Sequence, residues 1–298
     1  METVLITGGT GLVGKNLGIL LRNKGYVVKT LSSKPSEKNY FWDIDKQEIG
    51  CEALQNVDHI IHLAGANIGE KYWTKKRKKL ILDSRVNSAQ LLFDAVKKRA
   101  VKPKTFISAS AIGYYGAFTI EKIFTEKDNA ATDFLGTVCK EWELAATKFE
   151  TIGLRVVKIR TAVVLSPNGG ALQSILKPMK YGFGAVLGNG KQYMPWIHID
   201  DLCEIYCKAI GDKSMSGAYN AVAPEHITNR DFTKILAQRL HKPLLLPAIP
   251  SIFFKLLLGQ MSDLLLKGSR ISCEKIISTG FIFKYSNIRQ ALNVSVCL

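Results

Sequence analysis

The sequence lacks long apolar runs and paired cysteine motifs, and each absence excludes a class of protein. No apolar stretch reaches the roughly 20 residues that a membrane-spanning helix needs. The six cysteines are scattered without a CxxC pair, and Met1-Glu2-Thr3 leads into the first predicted strand with no signal peptide before it. These features predict reduced thiols and a soluble cytoplasmic protein without a membrane partner.

Metal-ligand patterns are also scarce. Cys203 and Cys207 are one helical turn apart, but two ligands alone do not make a metal site. His59 and His62 are three apart on a predicted strand, where such positions face opposite sides of a sheet. We therefore predict no metal site.

Acidic residues are few: 25 Asp and Glu stand against 41 Lys and Arg, a formal net charge of +16. A charge of this size raises nucleic acid or a membrane as a partner. The densest group of cations, called the basic cluster below, comprises Lys71, Lys75, Lys76, Arg77, Lys78 and Lys79. A solvated helix face is the favoured interpretation, and attraction of a phosphorylated ligand is the alternative. We predict no nucleic-acid binding, because no RNP, KH or helix-turn-helix pattern accompanies the cluster.

Three glycines stand near the start of the chain, where a strand turns into a helix. Val4–Thr7 is apolar and β-prone, whereas helical spacing begins at Leu12. Glycines at this junction let the backbone approach a pyrophosphate, and the helix N-terminus directs N–H groups at it. The pattern predicts a dinucleotide-binding turn with these candidate contacts: Thr7, Gly8, Gly11, Leu12, Val13 and Gly14.

The end of the second predicted strand bears on the choice between NAD and NADP. NAD enzymes place an acidic residue there to bind the ribose 2′-hydroxyl. This chain has Ser32, Ser33 and Lys34 instead. Hydroxyls and a cation suit a 2′-phosphate, so we predict NADP in preference to NAD. An ordinary polar loop is the alternative.

Short apolar strands alternate with helical stretches along the first half of the chain. A strand ending in Leu63, Ala64 and Gly65 suits cofactor contact at its carboxyl end. We predict an α/β fold, a Rossmann-type doubly wound parallel sheet with a smaller C-terminal substrate-binding domain. The nucleotide domain is predicted over 1–165, with its sheet completed by parts of 192–223, and the smaller mixed region over 166–298.

Two segments carry further expectations. The long helical stretch from about Trp73 to Arg99 is predicted to break near Asp83 and Ser84. The most apolar segment lies between Pro243 and Leu266. Proline, glycine and charged residues interrupt it and exclude a membrane span, and we expect it to pack in the core or as a lid over the substrate in preference to contacting a membrane.

Several motifs together indicate a family. They are Thr7 to Gly14, Leu63-Ala64-Gly65, Ile107 to Ala111 with Gly113 to Gly116, Trp196 to Asp201, Asn220 to Pro224 and Leu264 to Gly268. Over nearly its whole length the chain resembles an extended short-chain dehydrogenase/reductase. More narrowly, it resembles the atypical epimerase family proteins, relatives of nucleotide-sugar epimerases that end in a domain of unknown function.

The resemblance implies a nicotinamide cofactor on the first domain and a substrate pocket beneath the second. In the superfamily a Ser or Thr, a Tyr and a Lys perform the chemistry, the last two as YxxxK. Residues four apart share a helix face, so the ammonium can lower the pKa of the phenol. Ser110 matches the serine and Lys140 the lysine, but Gly136 stands where the tyrosine belongs.

Other residues in the matched motifs are secondary candidates. Tyr114 and Tyr115 are the nearest phenols to Ser110, and they serve either in proton transfer or as walls of the pocket. Arg160 resembles a position that meets the nicotinamide side and substrate phosphates. We favour structural roles for His198, as a core histidine, and for Asp201, as a helix cap.

These observations predict an NADP-dependent oxidoreductase or epimerase acting on a carbonyl or hydroxyl group of a small molecule, with nucleotide sugars as one candidate class. The alternative is a non-catalytic regulator that senses the NADPH/NADP ratio, which the glycine at position 136 favours. The resemblance also implies a homodimer.

Overall fold

The computed structural model describes residues 1–34, 36 and 39–296, and it is built around one large sheet. The strands of the described chain are β1 Thr3–Thr7, β2 Val27–Ser32, β3 Tyr40–Asp43, β4 Glu48–Ile49, β5 His59–His62, β6 Thr105–Ala111, β7 Ile123–Phe124, β8 Arg155–Thr161, β9 Val163–Leu165, β10 Trp196–His198, β11 Gly217–Ala221 and β12 Arg270–Ile271. Eight of them form the main sheet in the order β11-β8-β6-β5-β1-β2-β3-β4.

The helices connect these strands and cover the sheet. They are α1 Leu12–Asn23, α2 Lys75–Lys98, α3 Phe134–Thr147, α4 Ala171–Lys180, α5 Ile199–Gly211, α6 Asn229–Arg239, α7 Ser251–Leu258, α8 Asp263–Leu266, α9 Glu274–Ile277 and α10 Ile288–Ser295. All strand pairs in the main sheet are parallel except β3 with β4. The predicted doubly wound α/β fold is confirmed.

Alternation along β1 explains how both faces of the sheet are covered. Leu5 belongs to the apolar cluster that contains Leu92 of α2. Its neighbour Ile6 belongs to the opposite cluster, with Leu17 of α1 and Leu202 of α5. Successive strand residues face opposite sides, so α2 lies on one face of the sheet and α1 with α5 on the other.

Helix α2 differs from its prediction, because it runs without a break through Asp83 and Ser84. Neither residue is a proline or glycine, and both side chains bond within the helix. Ser84 Oγ donates to the Ile81 carbonyl at 3.1 Å, and Lys79 Nζ donates to Asp83 Oδ2 at 2.5 Å. The expected interruption is wrong.

The C-terminal region has its own apolar cluster, which joins Trp196 of β10, Phe232 of α6 and Leu292 of α10. The segment between Pro243 and Leu266 does not contribute a buried helix to any core: no residue of α7 is buried. The expectation of core packing is therefore wrong for α7. Among the described residues, no helix is both long and apolar enough to cross a membrane.

Candidate functional site

In the glycine turn between β1 and α1, neighbouring backbone atoms leave no room for a side chain at Gly8 or Gly14. Gly8 has φ +68°, and a Cβ on it would lie 3.0 Å from the backbone of Leu63 and Ala64. A Cβ on Gly14 would lie 2.5 Å from Gly9 Cα. Side chains at positions 8 and 14 would displace the turn, so the glycines there are required by space as well as by conformation.

The N-terminus of α1 opens onto this turn. Gly11 is the N-cap, no side chain of the described chain caps it, and its own N–H donates to the Gly8 carbonyl at 3.0 Å. The following first-turn amides, those of Leu12, Val13 and Gly14, carry the positive end of the helix dipole. An uncapped helix start beside a glycine turn is a phosphate-binding arrangement.

A chain of hydrogen bonds fixes the neighbouring ends of β1 and β5. The Ala64 N–H donates to Thr7 Oγ1 at 3.2 Å, and Thr7 Oγ1 lies 2.8 Å from His62 Nδ1. His62 Nε2 lies 3.1 Å from Ser88 Oγ, which donates to the Ser84 carbonyl at 2.7 Å. Burial lowers the pKa of His62 to about 4. The ring is thus neutral, accepts from Thr7 and donates to Ser88, so Thr7 has a structural role beneath the turn.

Of the three residues predicted to select NADP, Ser32 ends β2, and Ser33 and Lys34 follow it. Ser32 is buried at the strand end, whereas Ser33 and Lys34 are exposed. Ser32 Oγ accepts from the Lys34 N–H at 3.1 Å, which turns the chain at this edge. Two exposed side chains, a hydroxyl and a cation, are left available beside the glycine turn.

A buried polar network lies at the carboxyl ends of β6 and β8. Ser110 Oγ donates to Glu143 Oε1 at 2.8 Å. Arg160 donates to the same carboxylate twice, from Nε at 2.7 Å and from Nη2 at 2.9 Å. Arg160 Nη1 donates to the Tyr115 hydroxyl at 2.9 Å, which in turn donates to Asn220 Oδ1 at 2.6 Å. Every one of these five side chains is buried.

This network decides the role of Arg160. Burial disfavours its charge, but the hydrogen bonds and charge of Glu143 outweigh burial and hold the pKa of Arg160 above its usual value. Because a bidentate carboxylate already neutralises the guanidinium, Arg160 is not a free anion site. The structure therefore does not support the predicted cofactor contact for this residue.

The two phenols near Ser110 have different surroundings. Tyr115 is 1% exposed, burial raises the pKa of its hydroxyl above the usual value, and that hydroxyl is taken up by Arg160 and Asn220. Tyr114 is only half-buried, with its ring 3.4 Å from the Arg160 guanidinium. Of the two, Tyr114 is the phenol whose hydroxyl has no hydrogen-bond partner among the described residues.

The structure does not bring Lys140 to Ser110. Lys140 lies on the exposed side of α3, while Glu143 supplies the partner of Ser110. The face turned toward the loop after β6 carries Leu135 and Cys139, both within van der Waals reach of a Cβ at Gly113. Burial raises the pKa of the Cys139 thiol to about 12, so it remains protonated. Lys140 is thus one residue, about 100° around the helix, away from the face that carries Cys139.

Gly136 has a structural explanation. It lies where α3 begins, its N–H donates to the N-cap Asp133 at 2.8 Å, and a Cβ on it would lie 2.2 Å from the Ala131 carbonyl oxygen. No side chain fits at this position. A tyrosine is therefore absent from position 136, and position 135, on the face toward the site, holds a leucine.

Arg85 of α2 was not identified from the sequence. Its Nη1 donates to the Ala66 carbonyl at 3.1 Å and to the Ile81 carbonyl at 2.9 Å, and its guanidinium lies 4.8 Å from the Trp142 ring. A Cβ on Gly65 would lie 3.1 Å from Arg85 Cζ. No carboxylate of the described chain pairs with it, in contrast to Arg160. Arg85 is a candidate site residue because it lies beside the turn after β5, and the sequence does not show that proximity.

His198 and Asp201 have the structural roles favoured from the sequence, with one difference. His198 caps α5 by accepting the Asp200 N–H at 3.2 Å, and it contacts Ser295 Oγ at 3.1 Å. Asp201 accepts the backbone N–H groups of Lys284 and Tyr285 at 2.8 and 3.0 Å. The expected helix cap is thus His198, and Asp201 anchors the C-terminal region.

Cysteine and histidine chemistry adds no metal site within the described chain, where no cluster of three ligands occurs. Cys51, Cys139, Cys203, Cys207 and Cys273 are all free thiols. Cys297 lies outside the described residues.

The arrangement defines a class of protein: a doubly wound nucleotide-binding fold with a buried serine at the end of β6. The model of the NAD dependent epimerase/dehydratase family matches residues 4–221, and a domain of unknown function, DUF1731, matches 249–294. The chain belongs to the NAD dependent epimerase/dehydratase family, as the resemblance implied.

Relatives cover the chain almost completely. Epimerase family protein YfhF of Bacillus subtilis is 36% identical over 97% of this chain and 96% of its own. An epimerase family protein of Staphylococcus aureus strain N315 is 37% identical over 98% of both chains. The crystal structure of human epimerase family protein SDR39U1 (isoform 2) with NADPH is 30% identical, with a TM-score of 0.88 and 98% of both chains covered.

A more distant likeness shows the fold alone. The UDP-glucose 4-epimerase of Thermotoga maritima, solved with UDP-glucose, has a TM-score of 0.80 at 18% identity, over 99% of this chain and 97% of that one.

Proposed function

We propose that this protein binds NADP(H) and is an oxidoreductase or epimerase acting on a carbonyl or hydroxyl group of a small molecule. The observation that carries the proposal is the glycine turn, closed to any Cβ at positions 8 and 14 and open at the uncapped start of α1. The NADPH in the human relative's structure supports the same cofactor.

The strand order sets the direction of the cofactor along the sheet edge. Because β2 lies on one side of β1 and β5 with β6 on the other, we propose that the adenosine half lies over Ser33 and Lys34 and the pyrophosphate over α1. The nicotinamide half then extends toward Ser110. Leu63, Ala64 and Gly65, at the end of β5, would form the floor between the two halves.

Arg85 has a place in this arrangement. It lies against Gly65, and no carboxylate in the part of the chain that the structure describes pairs with it. Burial lowers the pKa of its guanidinium. A partly buried cation without a counter-ion is costly unless a ligand supplies negative charge or hydrogen-bond acceptors. We propose that Arg85 binds the oxygen-rich groups of the nicotinamide half, and so supplies the cation that α3 lacks.

The chemistry requires three functions, one from the cofactor and two from the chain. The bound nicotinamide would accept or donate the hydride. Ser110 donates its hydroxyl proton to Glu143 in this structure, and we propose that it turns that proton to the reacting oxygen when substrate binds. Tyr114 is the phenol available to move the proton. Tyr115 is excluded from that step because Arg160 and Asn220 occupy its hydroxyl.

A panel assay tests this function. Purified protein is offered carbonyl compounds with NADPH, and reduction is followed by the loss of NADPH absorbance. It is also offered nucleotide sugars with oxidised NADP, and epimerisation is followed by the appearance of the epimer, because an epimerase returns the hydride and leaves the cofactor unchanged overall. We expect turnover that falls at least about 100-fold in Ser110→Ala, the scale of a lost transition-state hydrogen bond. Full turnover in that variant on an identified substrate would remove the mechanism.

A second function is supported by α3. Leu135 and the closed position at Gly136 leave the helix without a tyrosine near Ser110. A sensor of the NADPH/NADP ratio would bind the cofactor and show no hydride exchange with any compound of the panel.

We also propose that the protein is a homodimer. Sedimentation velocity on the same samples tests this.

A further inference from the structure

Helix α7 presents an apolar face to solvent. Four large side chains share that face, Ile252, Phe253, Leu256 and Leu257, and they are 54, 61, 80 and 66% exposed. They form two pairs spaced four residues apart, so they lie side by side along the helix. The less exposed Phe254 and Leu258, also four apart, lie on the opposite side. The usual orientation of an amphipathic helix is therefore reversed, since its larger apolar stripe faces outward.

The helix is anchored at both ends, so this orientation is not that of a loose segment. Before α7, the Ile249 N–H donates to the Val186 carbonyl and the Gly188 N–H donates to the Ile249 carbonyl, each at 2.9 Å. After α7, Gln260 Oε1 accepts a hydrogen bond from Lys78 Nζ of α2. The last contact brings Lys78 of the basic cluster next to the C-terminal end of α7.

The surface around that contact carries excess positive charge. Three neighbouring carboxylates are already paired: Glu70 with Arg77 at 3.0 Å, Asp83 with Lys79 at 2.5 Å and Asp263 with Lys267 at 3.0 Å. Within the described chain, no acidic partner pairs with the exposed lysines of this region, namely Lys71, Lys75, Lys76 and Lys255.

We propose that α7 and the basic cluster together bind the surface of an anionic phospholipid membrane. Apolar side chains that insert at the headgroup boundary and a polybasic patch beside them are the two signals that stable peripheral binding requires. A second copy of the chain fits this face less well, because a two-fold contact would bring identical positive surfaces together. At 8 residues α7 spans about 12 Å, so it lies in the interface and does not cross the bilayer.

Vesicle co-sedimentation tests the proposal with the full chain. We expect the protein to sediment with vesicles of equal parts phosphatidylcholine and phosphatidylglycerol, to stay in solution with phosphatidylcholine alone, and to be released by salt. The double variant Phe253→Glu, Leu256→Glu should lose vesicle binding. The matched control is Ile282→Glu, at an apolar residue 88% exposed outside α7, and it should bind as the wild type does.

Several outcomes would overturn the proposal. These are absence of wild-type binding to the anionic vesicles, retention of binding in the double variant, and equal loss in Ile282→Glu. A double variant that turns a dimer into a monomer in sedimentation velocity would assign α7 to a contact between copies. Because all of these substitutions are at exposed positions, thermal unfolding should be unchanged, and vesicle binding does not depend on whether NADPH is bound.

Discussion

The buried carboxylate of Glu143 is the residue whose change has the largest predicted effect on stability. It accepts three hydrogen bonds, one from Ser110 and two from Arg160, and the two charged side chains of the ion pair are only 9 and 4% exposed. Glu143→Gln keeps the shape and removes the charge, which leaves the Arg160 guanidinium buried without a counter-ion.

Breaking a buried pair in this way costs about 3–5 kcal/mol. An amide oxygen still accepts one hydrogen bond, so we expect a value near the lower end, about 3 kcal/mol. At roughly 2–4 °C per kcal/mol for a chain of this size, the melting temperature should fall by about 6–12 °C. Urea unfolding and thermal scans of wild type and variant provide the measurement.

Two controls make the result specific. Glu150→Gln, at an exposed glutamate just after α3, should change stability by less than about 0.5 kcal/mol. Replacing both partners, in Glu143→Leu with Arg160→Met, should restore much of the loss, since no uncompensated charge remains. A loss below about 1 kcal/mol in Glu143→Gln would refute the buried ion pair.

Three further predictions concern the cofactor side. Gly14→Ala should weaken NADPH binding at least about tenfold in a fluorescence titration, because its Cβ would lie 2.5 Å from Gly9 Cα; unchanged affinity would contradict the closed turn. Arg85→Gln should weaken the binding of NADPH but not that of 2′,5′-ADP, which lacks the nicotinamide half. Arg85→Lys should recover part of the NADPH affinity. Equal loss of affinity for both ligands in Arg85→Gln would indicate that Arg85 has a structural role alone. His62 is held neutral with a pKa of about 4. Its contribution to the free energy of unfolding is therefore complete above pH ~6.5 and falls as the pH drops toward 4, by about 2 kcal/mol at pH 5. Urea unfolding at a series of pH values should show this loss, and His62→Asn should show a smaller dependence on pH.

The fold and the glycine turn could be predicted because their signals are local. Val4 to Gly14 contains a buried strand, a turn and a helix start within one short stretch. The ion pair of Arg160 could not be predicted, because its partner Glu143 comes from another element and only the folded sheet brings them together.

The sequence predicted two further features less well: which residues of α3 face the site, and whether α7 is buried. At α3 the burial changes within one residue: Lys140 is exposed, whereas Cys139 is buried toward the loop after β6. Apolarity at α7 indicated burial, whereas the structure exposes that face, because hydrophobicity alone does not state which surface will cover a helix.

The central claim is that the turn at Gly8 to Gly14, together with Ser33 and Lys34, binds NADP(H). The most direct measurement is a pair of titrations by nucleotide fluorescence, NADPH against NADH, on wild type and on Lys34→Ala. We expect the wild type to bind NADPH more tightly than NADH, and Lys34→Ala to lose that preference with its NADH affinity unchanged. Absence of binding by either nucleotide to the wild-type protein would contradict it.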